Sequence, residues 1–134
     1  MGHSDTPALL QAEATNLLNT GLRNLWHPVA ASWQVGSAPI GITRLSERIV
    51  LWRDADGAVH ALEDRCPHRG ARLSLGWNLG DRVACWYHGV EIDGQGCVKN
   101  VPAVKHCPME GEQRVRAYPA QERAGAIFLW FGID

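Results

Sequence analysis

Two short stretches constrain this chain more than any other: Cys66-Pro67-His68-Arg69-Gly70, and Cys85-Trp86-Tyr87-His88-Gly89. Each offers one thiol and one imidazole on a tight turn, and sixteen residues separate His68 from Cys85. Four soft or borderline ligands in two chelating pairs suit zinc or an iron–sulfur cluster, not calcium or magnesium. Any fold this chain adopts must bring the two turns together. Zinc fingers usually group cysteine with cysteine and histidine with histidine, whereas each pair here is mixed, as Cys-x-His and then Cys-x-x-His.

That mixed order suits a [2Fe–2S] cluster with both cysteines on one iron and both histidines on the other. The surrounding residues extend the match. Asp64-Arg65-Cys66-Pro67-His68-Arg69-Gly70-Ala71-Arg72-Leu73 resembles the first cluster loop of Rieske oxygenase large subunits. Cys85 to Gly89 and Asp93-Gly94-Gln95-Gly96 resemble their second loop and the hairpin after it. Val101-Pro102-Ala103 and Ile127-Phe128-Leu129-Trp130-Phe131-Gly132 are similar to that group as well, so the resemblance to the Rieske family runs from about Leu22 to Gly132. It implies one [2Fe–2S] cluster per chain, with Cys66, His68, Cys85 and His88 as its ligands.

Such a ligand set has a physical consequence. Histidines replacing two of four cysteines remove two negative charges, so reduction is less penalised and the potential rises, toward roughly −150 to +300 mV. The added electron is expected on the histidine-bound iron. Respiratory-chain members of the family carry a further cysteine in each loop, joined as a disulfide. Ala71 and Tyr87 stand at the matching positions, and Val90 stands where those proteins have a serine. The resemblance therefore points to the soluble oxygenase group and to the lower end of that range.

Composition agrees with one domain. The chain has 134 residues and a formal net charge of −1, from 13 basic and 14 acidic side chains, so no nucleic-acid partner is implied. No window is apolar enough for a membrane helix, and no basic-then-apolar signal opens the chain. A cytoplasmic protein is expected. A Cys97–Cys107 disulfide has little motive in a reducing compartment. Six tryptophans against two phenylalanines read as core or edge packing, Trp77 among them.

Along the chain, Pro7 to Leu18 reads as a short helix closed by Asn19-Thr20-Gly21, an extension over residues 1–21 to a domain over 22–134. Leu25 to Ala30 enters the domain extended. Ile40–Leu45 and Arg48–Arg53 read as strands, and the Asp54-Ala55-Asp56-Gly57 turn returns the chain through Ala58–Leu62. Val90–Ile92 and Cys97–Lys99 flank a second turn. Arg114–Tyr118 reads as a solvated strand and Ala126–Phe131 as a buried one. The predicted class is all-β: an antiparallel sandwich or barrel of the Rieske type, with two cluster-binding loops and a short N-terminal helix. His3, His27 and His60 read as surface or packing residues.

Oxygenase large subunits of the resembled group couple this domain to a second one, in which two histidines and a carboxylate hold mononuclear iron. After His88 only His106 remains, so no such triad is present, and no serine or cysteine nucleophile is evident. The resemblance implies a Rieske domain that passes electrons from a reductase or ferredoxin to a mononuclear-iron oxygenase domain. Ring hydroxylation or demethylation is the implied chemistry, with a trimer in the full-length protein. Alone, the chain would be an oxidoreductase component and not a catalyst. A free-standing Rieske ferredoxin is the alternative, and a structural zinc domain a weaker one. Trp86 and Tyr87 would shield the cluster or touch the partner. Arg69 and Arg72 read equally well as partner contacts and as solvated loop charges.

Overall fold

The computed structural model describes residues 10–11, 22–67, 70–102, 104 and 107–132. Its strands run β1 (Leu25–Ala31), β2 (Ile40–Arg44), β3 (Glu47–Arg53), β4 (Val59–Glu63), β5 (Trp77–Asn78), β6 (Arg82–Ala84), β7 (Glu91–Asp93), β8 (Val98–Asn100), β9 (Ala117–Tyr118), β10 (Ala120–Arg123) and β11 (Ala126–Phe131). They form three antiparallel sheets, ordered β1-β11-β10, β2-β3-β4-β9 and β5-β6-β7-β8. The all-β expectation holds. The expected N-terminal helix lies outside the described residues, apart from Leu10 and Gln11, which are helical.

Strand β3 explains the layering. Ile49, Val50, Leu51 and Trp52 are all buried, because both faces of this strand are covered. Ile49 and Leu51 join one apolar cluster with Val29, Ala61, Ile127, Leu129 and Phe131. Val50 and Trp52 point the other way, into a second cluster with Leu62, Leu73, Val83, Ile92, Cys66 and Cys85. The middle sheet is thus shared, and the second cluster is where the ligand loops meet. Each large side chain buried there contributes on the order of 1.5–3 kcal/mol.

Two tight turns set the register. Leu45 and Ser46 both adopt positive φ, 49° and 62°, between the paired residues Arg44 and Glu47. That left-handed pair matches the twist of a two-residue hairpin. Leu45 is therefore a turn residue and not the end of a strand. Ala124 and Gly125 repeat the device between Arg123 and Ala126, creating β10, which the sequence reading missed. Strand β11 alternates, with Ile127, Leu129 and Phe131 inward, and is not buried on both faces.

Other expectations change. Of Arg114–Tyr118 only Ala117–Tyr118 forms a strand, because the Arg114 and Val115 amides both turn to the Gly96 carbonyl. Trp77 is 57% exposed and Trp33 84%, so neither packs inside, while Trp52 is fully buried. Trp77 sits on β5, an edge strand paired only with β6, which leaves its ring at the rim. Cys97 and Cys107 are free thiols. No helix among the described residues is long and apolar enough to cross a membrane.

Candidate metal centre

Both ligand loops leave the ends of strands at the second apolar cluster. The first follows β4. The Cys66 amide donates to the Ala71 carbonyl at 2.7 Å, and the Gly70 amide donates back to the Cys66 carbonyl at 2.8 Å. The second follows β6. Here the Cys85 amide donates to the Val90 carbonyl at 2.8 Å, and the Gly89 amide to the Cys85 carbonyl at 2.9 Å. The two loops close identically, although their cysteine-to-histidine spacings differ. Each closure turns on a glycine at positive φ, +74° for Gly70 and +70° for Gly89, where a side chain is strained.

The closures place the sulfur-bearing residues deep. Cys66 is 2% exposed and Cys85 1%, within one cluster that includes Leu62, Leu73, Val90 and Val101. Cys107 and Met109 pack against this cluster from the loop after β8. Val101 is tied down there by the Glu110 carboxylate, which accepts its amide at 3.2 Å.

The second loop rises from this floor to the surface. His88 is exposed, beside Trp86 at 45% and Tyr87 at 49% exposure. The Tyr87 ring meets the His88 ring edge-on with centroids 4.1 Å apart, and Trp86 meets Tyr87 at 5.5 Å. The structure therefore brings Cys66 and Cys85 into one core and sets His88 on the rim. His68 and Arg69 lie outside the described residues, as does His106. Arg72 is exposed.

This donor set fits a two-iron centre. Paired thiolates in an apolar cluster need cationic charge to offset their burial, which a metal supplies. An exposed imidazole beside two buried thiols is compatible with mixed cysteine and histidine ligation of a [2Fe–2S] centre. Among the described residues no three His, Cys, Asp or Glu side chains are grouped around a single ion. A [2Fe–2S] cluster asks for only two protein ligands per iron.

His27 and His60 serve the scaffold. His27 contacts the Leu22 carbonyl through Nε2 at 2.7 Å and lies edge-on to Phe131. His60 stacks on Trp52 at 5.2 Å and bonds Asp54 through Nε2 at 2.7 Å. That hydrogen bond holds the Asp54 carboxyl below the usual carboxylate range.

Sequence reasoning passed over Asp64. It is the one buried charged residue among those described, 6% exposed, two positions before Cys66. Its Oδ1 accepts the Ser74 amide at 2.8 Å and its Oδ2 the Ser74 hydroxyl at 2.6 Å. The only signal in the sequence was an acid two positions before Cys66, with a serine ten residues on.

Comparison with known proteins gives the family and the fold. The family model for the Rieske [2Fe-2S] domain matches residues 25–119. The dicamba O-demethylase oxygenase component of Stenotrophomonas maltophilia is 40% identical over 114 residues, covering 84% of this chain and 33% of that protein. A crystal structure of dicamba monooxygenase superposes with a TM-score of 0.76 at 37% identity, over 82% of this chain and 35% of that one. Oxidoreductase NdmD of Pseudomonas putida is 38% identical over 111 residues, 81% of this chain and 19% of that protein. The reduced complex between oxygenase and ferredoxin in carbazole 1,9a-dioxygenase gives a TM-score of 0.75 at 31% identity, over 82% of this chain and 29% of that one. The chain thus spans about a third or less of the length of these relatives.

Proposed function

The chain belongs to the Rieske [2Fe–2S] family, and on that premise we propose that it is the electron-transfer domain of an aromatic-ring-hydroxylating or demethylating oxygenase. Cys66 and Cys85 would hold one iron, and His68 and His88 the other. When bound, the cluster supplies a one-electron couple. The observation that carries the reading is the depth difference: two cysteines at 2% and 1% exposure, and His88 at the surface of the same site.

The chain's own residues then divide the work. The apolar cluster around Cys66 and Cys85 keeps water from the sulfur side. Tyr87, edge-on to His88, fixes the orientation of that ring. An exposed imidazole with a second nitrogen gives the electron a short route outward and a place for a proton. Trp86 and Tyr87 present apolar surface beside it, suited to a transient partner contact.

The donor is a reductase or a ferredoxin, a reading supported by the likeness to the oxygenase of the carbazole 1,9a-dioxygenase complex with its ferredoxin. The acceptor is a mononuclear-iron domain, reached within a trimeric full-length protein. Residues 22–134 form the electron-transfer unit and 1–21 an extension to it; β1, which opens the unit, pairs with β11, which ends it. The free thiols of Cys97 and Cys107 favour a reducing, cytoplasmic setting. A second reading, a carrier outside an oxygenase, draws on the similarity to oxidoreductase NdmD.

Rapid mixing of the loaded chain with a reduced Rieske-oxygenase ferredoxin tests the proposal. Bleaching on the timescale of turnover is expected. A cluster that dithionite reduces but no ferredoxin or reductase does would overturn the transfer role.

A further inference from the structure

Asp64 has no salt bridge among the described residues, although it is the buried charged group there. It borders a polar groove of about 470 Å³ with Arg48, Arg65 and Arg116. Of these, Arg65 is paired with Glu63 and Arg116 with Glu47, and Arg48 is exposed. Both oxygens of Asp64 are instead met by one neutral residue, Ser74. Gly41 on β2 leaves room for the pair: a Cβ there would sit 3.0 Å from the Ser74 hydroxyl and 3.1 Å from Asp64 Oδ2.

The location gives this carboxylate two effects on the site. Its amide donates to the Arg48 carbonyl at 2.9 Å, so one end of the first ligand loop is fixed to β3. Its side chain grips Ser74, in the one-turn helix Leu73–Leu75 that ends the loop. Cys66 lies inside this ring, with Leu73 packed in the same apolar cluster. Two residues of chain place the Asp64 and Cys66 Cα atoms no more than about 7 Å apart. A carboxylate only 6% exposed is screened less than a surface charge, and in this neighbourhood it opposes the addition of another negative charge.

We propose that Asp64 is a positioning residue for the metal centre, anchoring the first ligand loop and, through its buried charge, holding the reduction potential down. This rests on the reading of Cys66 as a ligand. The chain of residues 1–134, loaded with its cluster, is titrated electrochemically while the EPR signal of the reduced form is followed. Asp64→Asn keeps the size and an acceptor oxygen but removes the charge; Ser74→Ala keeps the charge and removes one hydrogen bond.

Asp64→Asn is expected to shift the reduction equilibrium about tenfold toward the reduced form, a rise of about 59 mV for one electron. Its EPR line shape should match the parent's. Ser74→Ala should give no shift in that direction. A shift under twofold in Asp64→Asn, or a matching rise in Ser74→Ala, overturns the proposal, because a mechanical clamp would then suffice. A parent chain without the mixed His/Cys signal would overturn the ligand reading as well.

Discussion

Gly70 and Gly89 hold matching left-handed conformations, at φ +74° and +70°, and each donates its amide to the carbonyl of the cysteine four residues before it. One closure is thus used twice, and it puts two cysteines at equal depth despite unequal spacing to their histidines. An added methyl group finds space at both sites: nothing lies within 4 Å at Gly70, and Pro102 Cγ lies at 3.6 Å at Gly89. Only backbone strain opposes it.

Gly70→Ala and Gly89→Ala should therefore each destabilise the fold by roughly 1–2 kcal/mol. Gly96→Ala should cost more, because its Cβ would lie 2.0 Å from the Val115 carbonyl oxygen at φ +85°. Chemical denaturation of the three variants checks the ranking.

Cys66→Ala, His68→Ala, Cys85→Ala and His88→Ala should each lower bound iron and acid-labile sulfide to background. His88→Cys is the more informative change. It adds a negative charge at the histidine-bound iron, so if the cluster is kept, its potential should fall toward the roughly −400 mV of all-cysteine clusters. Iron and sulfide analysis with potentiometry checks both.

The sequence showed this site by its chemistry and hid part of its support. Thiol and imidazole spacing is local, so Cys66, His68, Cys85 and His88 stand out as a candidate set, of which the structure buries Cys66 and Cys85 together and exposes His88. The β3 run Ile49–Trp52 was legible as a strand because a doubly covered strand is apolar without a break. The Leu45-Ser46 and Ala124-Gly125 turns were less legible, since three of these four residues enter positive φ without being glycine. Their conformation is imposed by the strands they join. Asp64 was invisible as a support because its partner, Ser74, comes from the far end of the loop. Trp77 was misread because nothing local tells an edge strand from a central one.

Acid should weaken one outlying contact first. Arg53 donates to both oxygens of Glu122, at 2.9 and 2.6 Å, tying β3 to β10. This pairing holds the Glu122 carboxyl at about 2, below its ordinary 4.5. A lowered folded-state value means the pair contributes fully above pH 4.5 and loses its contribution as pH falls toward 2. Glu122→Gln should thus flatten the decline in stability across that window and be least stable relative to the parent near neutrality. Urea midpoints at pH 6 and pH 3 test this.

Trp86→Ala should slow electron uptake from a ferredoxin without moving the potential, because Trp86 is 45% exposed two positions before His88, on the proposed docking face. Leu79→Ala, on an exposed side chain outside the ligand loops, should leave the rate unchanged. Stopped-flow traces at two ionic strengths separate loss of contact from loss of steering.

The most direct test is the EPR spectrum of the anaerobically loaded, dithionite-reduced chain, recorded with its iron, sulfide and zinc contents. Two irons and two sulfides per chain are expected. The signal should be rhombic, with an average g-value below that of an all-cysteine cluster and nitrogen couplings from two histidines. A colourless, EPR-silent protein holding zinc and no sulfide would contradict a Rieske centre.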